Sequence, residues 1–149
     1  MVRDRKNKIK TVLLASDHAG FKLKEKIKRF LKSKGKKVFD LGTNNTNSVD
    51  YPNYAHLLSR KMGKKKNITG ILVCGSGIGM SMTANKHKNI RAALCYNIKS
   101  TTLSRKHNNA NVMTIGSRLT NSKTALLCVN TFLKTKFESG RHLRRIKKI

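Results

Sequence analysis

Apolar residues along the chain fall into two alternating patterns. Short β-branched runs of strand length occur at Thr11 to Ser16 (TVLLAS), Lys37 to Leu41 (KVFDL), Ile68 to Cys74, Ile90 to Cys95 and Val112 to Ile115. Longer segments of helical period separate them. Gly20 to Ser33 places Leu23, Ile27, Phe30 and Leu31 on one face and lysines elsewhere. Further helices are predicted from about Asn53 to Lys64, from the Gly75–Gly79 turn to about Lys86, over Ile98 to His107 and over Ser122 to Lys136. A polar loop spans Gly42 to Asp50, and Arg141 to Ile149 reads as a short basic helix. Strands separated by single helices are the pattern of βαβ units and a parallel sheet. The fold class expected is therefore α/β: a Rossmann-like three-layer αβα sandwich with a five-stranded parallel sheet. No repeat or linker interrupts it, so residues 11–149 read as one domain, basic tail included, behind a basic extension over residues 1–10. Ligands of such sheets bind at the carboxyl ends of the strands. The loops to watch are therefore Ser16–Gly20, Cys74–Gly79, Tyr96-Asn97 and Gly116–Arg118.

Composition narrows the class. The 149 residues are 38% hydrophobic with a single Pro, which supports a real core and excludes a disordered basic tail or a low-complexity chain. No apolar run approaches the ~18 residues of a membrane span, and no secretory signal is read at the start. Lys and Arg total 34 against 6 Asp and Glu, a formal net charge of +28. That excess means either a polyanionic partner or an unusual surface. Its lysines concentrate at Lys22, Lys24, Lys26 and Lys28, at Lys34, Lys36 and Lys37, and at Lys64 to Lys66, all predicted to face solvent. Only 5% of residues are aromatic and no reader motif is present, so nucleic acid is expected to bind non-specifically and at low salt. Three widely spaced cysteines without Cys-x-x-Cys fit reduced thiols in a cytoplasmic protein. The five histidines lack metal-motif spacing, and no metal is expected.

The most informative segment is Cys74-Gly75-Ser76-Gly77-Ile78-Gly79. Glycines at a strand-to-helix turn let backbone N–H groups converge, and the helix start favours negative charge. Gly-Lys-Ser/Thr is missing, so this is no P-loop, and G-x-G-x-G is not the dinucleotide fingerprint. Packing alone would explain such a turn, and Cys74 could be an inert thiol closing a strand. The alternative is a reactive one, since a helix N-terminus favours the thiolate. Cys95, ending a strand, and Cys128, on an apolar helix face, read as structural. Asp17-His18 follows the first strand at the ligand edge, where Asp17 could also serve as a cap. His107-Asn108 ends the fourth helix, where a capping role is equally open. Arg141-His142-Leu143-Arg144-Arg145 reads by charge as a solvated or nucleic-acid-facing patch.

Taken in order, SDHAGFKLK (Ser16–Lys24), VDYPNYA (Val49–Ala55), GILVCGSGIGMSMTANK (Gly70–Lys86), IRAA (Ile90–Ala93), LSRKHNNAN (Leu103–Asn111), IGSR (Ile115–Arg118) and FESGRHLRRIKKI (Phe137–Ile149) resemble the ribose/galactose isomerase family, and within it the type B ribose-5-phosphate isomerases. The resemblance implies an aldose–ketose isomerase of the non-oxidative pentose phosphate pathway. It places the carbon base at Cys74 and the ring-opening acid at His107. It gives substrate contacts to Asp17, His18, Tyr51, Asn108, Arg118, Arg141 and Arg145, with the arginines suited to phosphate. Gly75, Ser76, Gly77, Ile78 and Gly79 match the turn that holds the enediolate oxygen. Ser76, standing where Thr is frequent, keeps a hydroxyl able to relay a proton. The resemblance also implies no cofactor and no metal, a phosphorylated pentose as substrate, and a homodimer with shared sites or a tetramer built from it. Ser139 departs from a glycine often found before Gly-Arg-His. Some relatives carry a Glu base a few residues downstream, and none stands there in this chain. The rival readings are a galactose-6-phosphate isomerase subunit, an allose-6-phosphate isomerase and, from another class, a nucleic-acid-binding protein.

Overall fold

A parallel sheet must be covered on both faces, and alternation along its strands decides which helix covers each. The computed structural model describes residues 11–149, so the basic extension read over 1–10 lies outside the described residues. Its strands are β1 (Thr11–Ser16), β2 (Lys37–Asp40), β3 (Ile68–Cys74), β4 (Ala92–Leu94) and β5 (Val112–Gly116). All pair in parallel, in the order β2-β1-β3-β5-β4. The helices are α1 (Phe21–Ser33), α2 (Tyr51–Met62), α3 (Ile78–Ala84), α4 (Ile98–Lys106), α5 (Ser122–Lys134) and α6 (Arg141–Ile146). Val12 and Leu14 point to the side of α1 and α5, where they meet Ile27, Leu31, Val129 and Phe132. Leu13 and Ala15 point the other way, to Leu58 and Met62 of α2 and Met80 of α3. This period of two along β1 builds one core on each face.

Boundaries moved where local chemistry intervened. Helix α2 starts at Tyr51 rather than near Asn53, because Pro52 falls in its first turn, where a missing N–H costs nothing. Strand β4 is shorter than the run Ile90 to Cys95: the Arg91 N–H is taken by the Asn111 side chain instead of a ladder partner. The sheet order reverses direction at β1 and β3, and the crevice at the carboxyl ends of such a pair is where α/β sheets bind ligands.

Lys24 overturns the reading of the α1 lysines as solvent-facing. Its side chain is fully buried, and its Nζ donates to both Asp40 carboxylate oxygens at 2.7 Å and to Glu25 at 3.2 Å. Lys28 adds a second ammonium to Asp40 at 2.7 Å. Burial alone would raise the Asp40 carboxyl, but hydrogen bonds from Lys24, Lys28 and the Gly42 N–H outweigh it and hold the group below its ordinary range. Removing one partner of a buried pair typically costs ~3–5 kcal/mol, because the other charge is stranded. Since Lys28 still reaches Asp40, Lys24→Met should lose about 3 kcal/mol in urea unfolding at neutral pH, the low end of that range. A depressed carboxyl stabilises above its unfolded pKa and stops doing so as pH falls through the folded one. The difference between variant and wild type should therefore shrink below about pH 4.

Candidate active site

The turn after β3 is built around sulfur. Cys74 ends the strand buried, and its Sγ accepts the Gly77 N–H at 3.1 Å. Gly77 takes a left-handed backbone (φ 77°), and a Cβ there would sit 2.7 Å from Leu94 and 2.8 Å from the Ile115 carbonyl carbon. Only glycine lets the chain curl so tightly over the thiol. Gly116 is required for the same reason, since a Cβ on it would lie 2.5 Å from the Ser76 backbone. Ser76 Oγ accepts the Ile78 N–H at 3.2 Å, which fixes the hydroxyl at the start of α3.

The neighbouring loops close on this turn. Asp17 donates its backbone N–H to Val73 O at 3.2 Å, while its Oδ1 accepts the Gly20 N–H at 2.9 Å and holds the turn before α1; the N-cap of that helix is Gly20, without a side-chain cap. Gly20 packs so closely that a Cβ would lie 2.3 Å from Val73 O, which ties the β1 loop to the end of β3. His18 Nδ1 lies 3.1 Å from the Val49 nitrogen and 3.2 Å from its carbonyl oxygen, which holds the ring against the loop before α2. Tyr51 stands against Gly79, where a Cβ would meet its hydroxyl oxygen at 2.8 Å. Arg118 donates its backbone N–H to Gly75 O at 3.0 Å, and its guanidinium lies beside the Gly75 α-carbon. Ser117 Oγ donates to Ala19 O at 2.8 Å and closes the ring of loops. Asp17, His18, Tyr51, Cys74, Gly75, Ser76, Gly77, Ile78, Gly79 and Arg118 thus share one sheet edge.

The remaining predicted residues do not join them within one chain. Helix α4 leaves the carboxyl end of β4 and runs back, so that His107 and Asn108 come out just before β5 begins. Cys74 is in register with Gly116 at one end of β5, and Val112 marks the other, a rise of about 13 Å along the strand. Arg141 and Arg145 belong to the His107 side: the Glu138 N–H donates to Lys106 O at 3.1 Å, and the His142 ring of α6 stacks on His107 with 4.2 Å between centroids. His142, read from sequence as part of a solvated patch, is therefore buried. Within one chain the two groups of residues lie at opposite ends of the strands.

The other two thiols lie in the core on the α1 and α5 side of the sheet. Burial pushes Cys95 up to about 11, against weaker opposing hydrogen bonds from Thr101 and Ser104. Burial raises Cys128 too, and all three cysteines are free. A cleft of about 740 Å³ opens away from the thiol, lined among others by Lys64, Lys65, Lys66, Arg91 and Arg105. It holds part of the positive charge and none of the residues of the Cys74 turn. Among the described residues, no helix is long and apolar enough to cross a membrane.

The chain has relatives among known proteins. The family model described as Ribose/Galactose Isomerase matches residues 12–149. A putative sugar phosphate isomerase of Rickettsia bellii is 44% identical over 93% of this chain and 96% of its own length. The ribose 5-phosphate isomerase of Thermotoga maritima superposes with a TM-score of 0.90 at 47% identity, covering 93% of this chain and 95% of that one. The Mycoplasma genitalium ribose-5-phosphate isomerase B, solved with bound ribulose-5-phosphate, gives 0.90 at 44% identity over 93% and 92%.

Proposed function

The chain belongs to the ribose/galactose isomerase family, and from that premise we propose that it interconverts ribose 5-phosphate and ribulose 5-phosphate through a cis-enediolate. The observation that carries this reading is the thiol of Cys74 seated beneath the glycine turn, 3.1 Å from the Gly77 nitrogen. Isomerisation needs a base at carbon, donors at oxygen and an anchor for the remote phosphate. The Cys74 thiolate removes the proton from C2, and electrons move onto the C1 carbonyl oxygen. Backbone N–H groups of the Gly75–Gly79 turn stabilise the developing oxyanion, a role in which one donor is typically worth ~10²–10³ in rate. The Ser76 hydroxyl passes the O2 proton to O1, and the Cys74 thiol returns its own proton to C1. His107 gives the furanose ring oxygen the proton that opens the ring. Asp17, His18, Tyr51 and Asn108 orient the sugar, and Arg118, Arg141 and Arg145 hold the phosphate, guanidinium being a planar match for its oxygens.

The two half-sites support a homodimer in which His107, Asn108, Arg141 and Arg145 of one copy complete the Cys74 pocket of the other. Three free cysteines support a reducing, cytoplasmic setting, and the substrate pair itself supports a place in the pentose phosphate pathway. The bound ribulose-5-phosphate of the Mycoplasma genitalium relative favours the pentose substrate over the six-carbon phosphates. Coupled assays of the purified protein on ribose 5-phosphate, allose 6-phosphate and galactose 6-phosphate test this, and turnover of a hexose phosphate alone would overturn it. Arg145→Ala should raise KM for ribose 5-phosphate far more than for unphosphorylated ribose, measured by initial rates on both.

A further inference from the structure

The Cys74 turn uses the carboxyl end of β3, and the cleft of about 740 Å³ lies at the other end of the sheet. Its lining comes from the turns by which the chain enters the strands. Residues 63–69 join α2 to β3, Arg91 directly precedes β4, and Arg105, Asn109 and Asn111 lead from α4 into β5. Residues 133–137, at the end of α5, complete it. Helices α2 and α5 cover opposite faces of the sheet, so their ends flank the cleft from two sides.

Lys64, Lys65, Lys66, Arg91, Arg105 and Lys134 bring six positive charges to this lining, and no Asp or Glu joins them among the described residues. Helices α2, α4 and α5 end here, and each C-terminus offers roughly half a negative charge. Together they offset only about one and a half of the six. The arginines are the fixed part of the site. Arg91 Nε donates to Asn108 O at 3.2 Å and to Asn109 O at 3.0 Å, and its two terminal nitrogens have no partner among the described residues. Arg105 donates from Nη1 to Asn109 Oδ1 at 3.2 Å and to Ala110 O, and from Nε to Thr135 O at 3.3 Å. Its guanidinium carbon stands 5.3 Å from the centre of the Phe132 ring. Two half-buried guanidinium groups thus converge on Asn109, and among the described residues neither pairs with a carboxylate. Burial lowers both below the ordinary guanidinium range, and the charge of Arg91 lowers Arg105 further. An anion beside them relieves that repulsion.

The spread of the cations decides which anion fits. A single phosphate is held by groups that converge on one point, whereas these charges come from both flanks of an elongated lining. A row of phosphates meets them all. A nucleic acid strand fits less well, because Phe137 is the one aromatic side chain in the lining among the described residues, and strand-binding grooves stack successive bases on several. We propose that this cleft binds a linear oligophosphate, free or as the phosphate chain of a nucleotide. Arg91 and Arg105 are its fixed contacts, and Lys64, Lys65, Lys66 and Lys134 close on it from either side. The site stands apart from the isomerase reading, none of whose residues lines the cleft.

Calorimetric titration of the full chain with tripolyphosphate tests this at about 0.15 M salt, where charges more than ~8 Å apart are largely screened. One equivalent per chain should bind, and excess ribose 5-phosphate should not displace it. The triple variant Lys65→Gln, Lys66→Gln, Lys134→Gln should weaken binding at least about tenfold, the scale of one charge-assisted contact. A second triple variant, Lys22→Gln, Arg29→Gln, Lys32→Gln, removes the same charge from exposed positions of α1 and should stay within about twofold of the wild type. Unfolding curves confirm that both are folded. ATP separates the two sources: affinity no greater than that of tripolyphosphate identifies the phosphate chain alone, and tighter binding that AMP does not share identifies a nucleotide. Failure to bind at this salt, equal weakening by the two triple variants, or displacement by ribose 5-phosphate would overturn the proposal. So would a short oligothymidylate that binds more tightly than tripolyphosphate and loses that advantage in the cleft variant, which would give the cleft to nucleic acid.

Discussion

Cys74→Ala is expected to lower kcat about 10³-fold or more, within the range that general bases supply, while phosphosugar affinity stays near that of the wild type. The asymmetry follows from where binding energy resides. In the proposed mechanism the arginines grip the phosphate and Asp17, His18 and Tyr51 line the sugar, so truncating one thiol should leave the ground-state complex intact. What is lost is the only group placed to take the C2 proton, since no carboxylate follows in the turn. Cys74→Ser should fare little better, because an alcohol is far too weak an acid to supply an anion at neutral pH. Calorimetry with a non-reacting phosphosugar, set beside steady-state kinetics, separates the two quantities. A variant that keeps near-wild-type kcat would sink the role of the thiol.

Mixing two dead variants should restore activity. Cys74→Ala and His107→Ala fail alone for different reasons: one lacks the carbon base, the other the ring-opening acid. If each pocket takes Cys74 from one copy and His107 from its twofold mate, a mixed dimer has one pocket with both defects and one with neither. Random assortment makes half the dimers mixed with half their pockets whole, so roughly a quarter of wild-type turnover should return after co-refolding. A site contained in one chain would give no recovery. The 13 Å of strand between the two sheet edges makes this the sharper test of the assembly, because no side-chain rotation spans it.

The layout of strands and helices was legible because it rests on periodicity, which local sequence carries in full: Val12 and Leu14 against Leu13 and Ala15 already define two faces. Cys74 and its glycines were legible because the strand, turn and helix that shape them are contiguous. Lys24 was not. Its partner Asp40 lies sixteen residues on, in the next strand, and a lysine amid lysines gives no local sign that one of them is inside. The separation of His107 from Cys74 could have been read from the direction of α4, which must return to the starting edge before β5 can run parallel. The stacking of His142 on His107 depends on a reversal at Ser139-Gly140, where a serine holds a conformation that favours glycine. The spacing of Glu138 and His142, four residues apart, was the one available hint.

The burial of Cys95 and Cys128 has a practical consequence. Both are fully enclosed, and burial keeps them protonated at working pH. Cys74 is buried as well, but 4% exposed where Cys95 and Cys128 are 0%, so an alkylating reagent used gently on the folded protein should reach it first. Mass added per chain becomes a direct count of competent pockets, and protection by ribose 5-phosphate becomes a binding isotherm read without any coupled enzyme. The molecule carries its own active-site titrant.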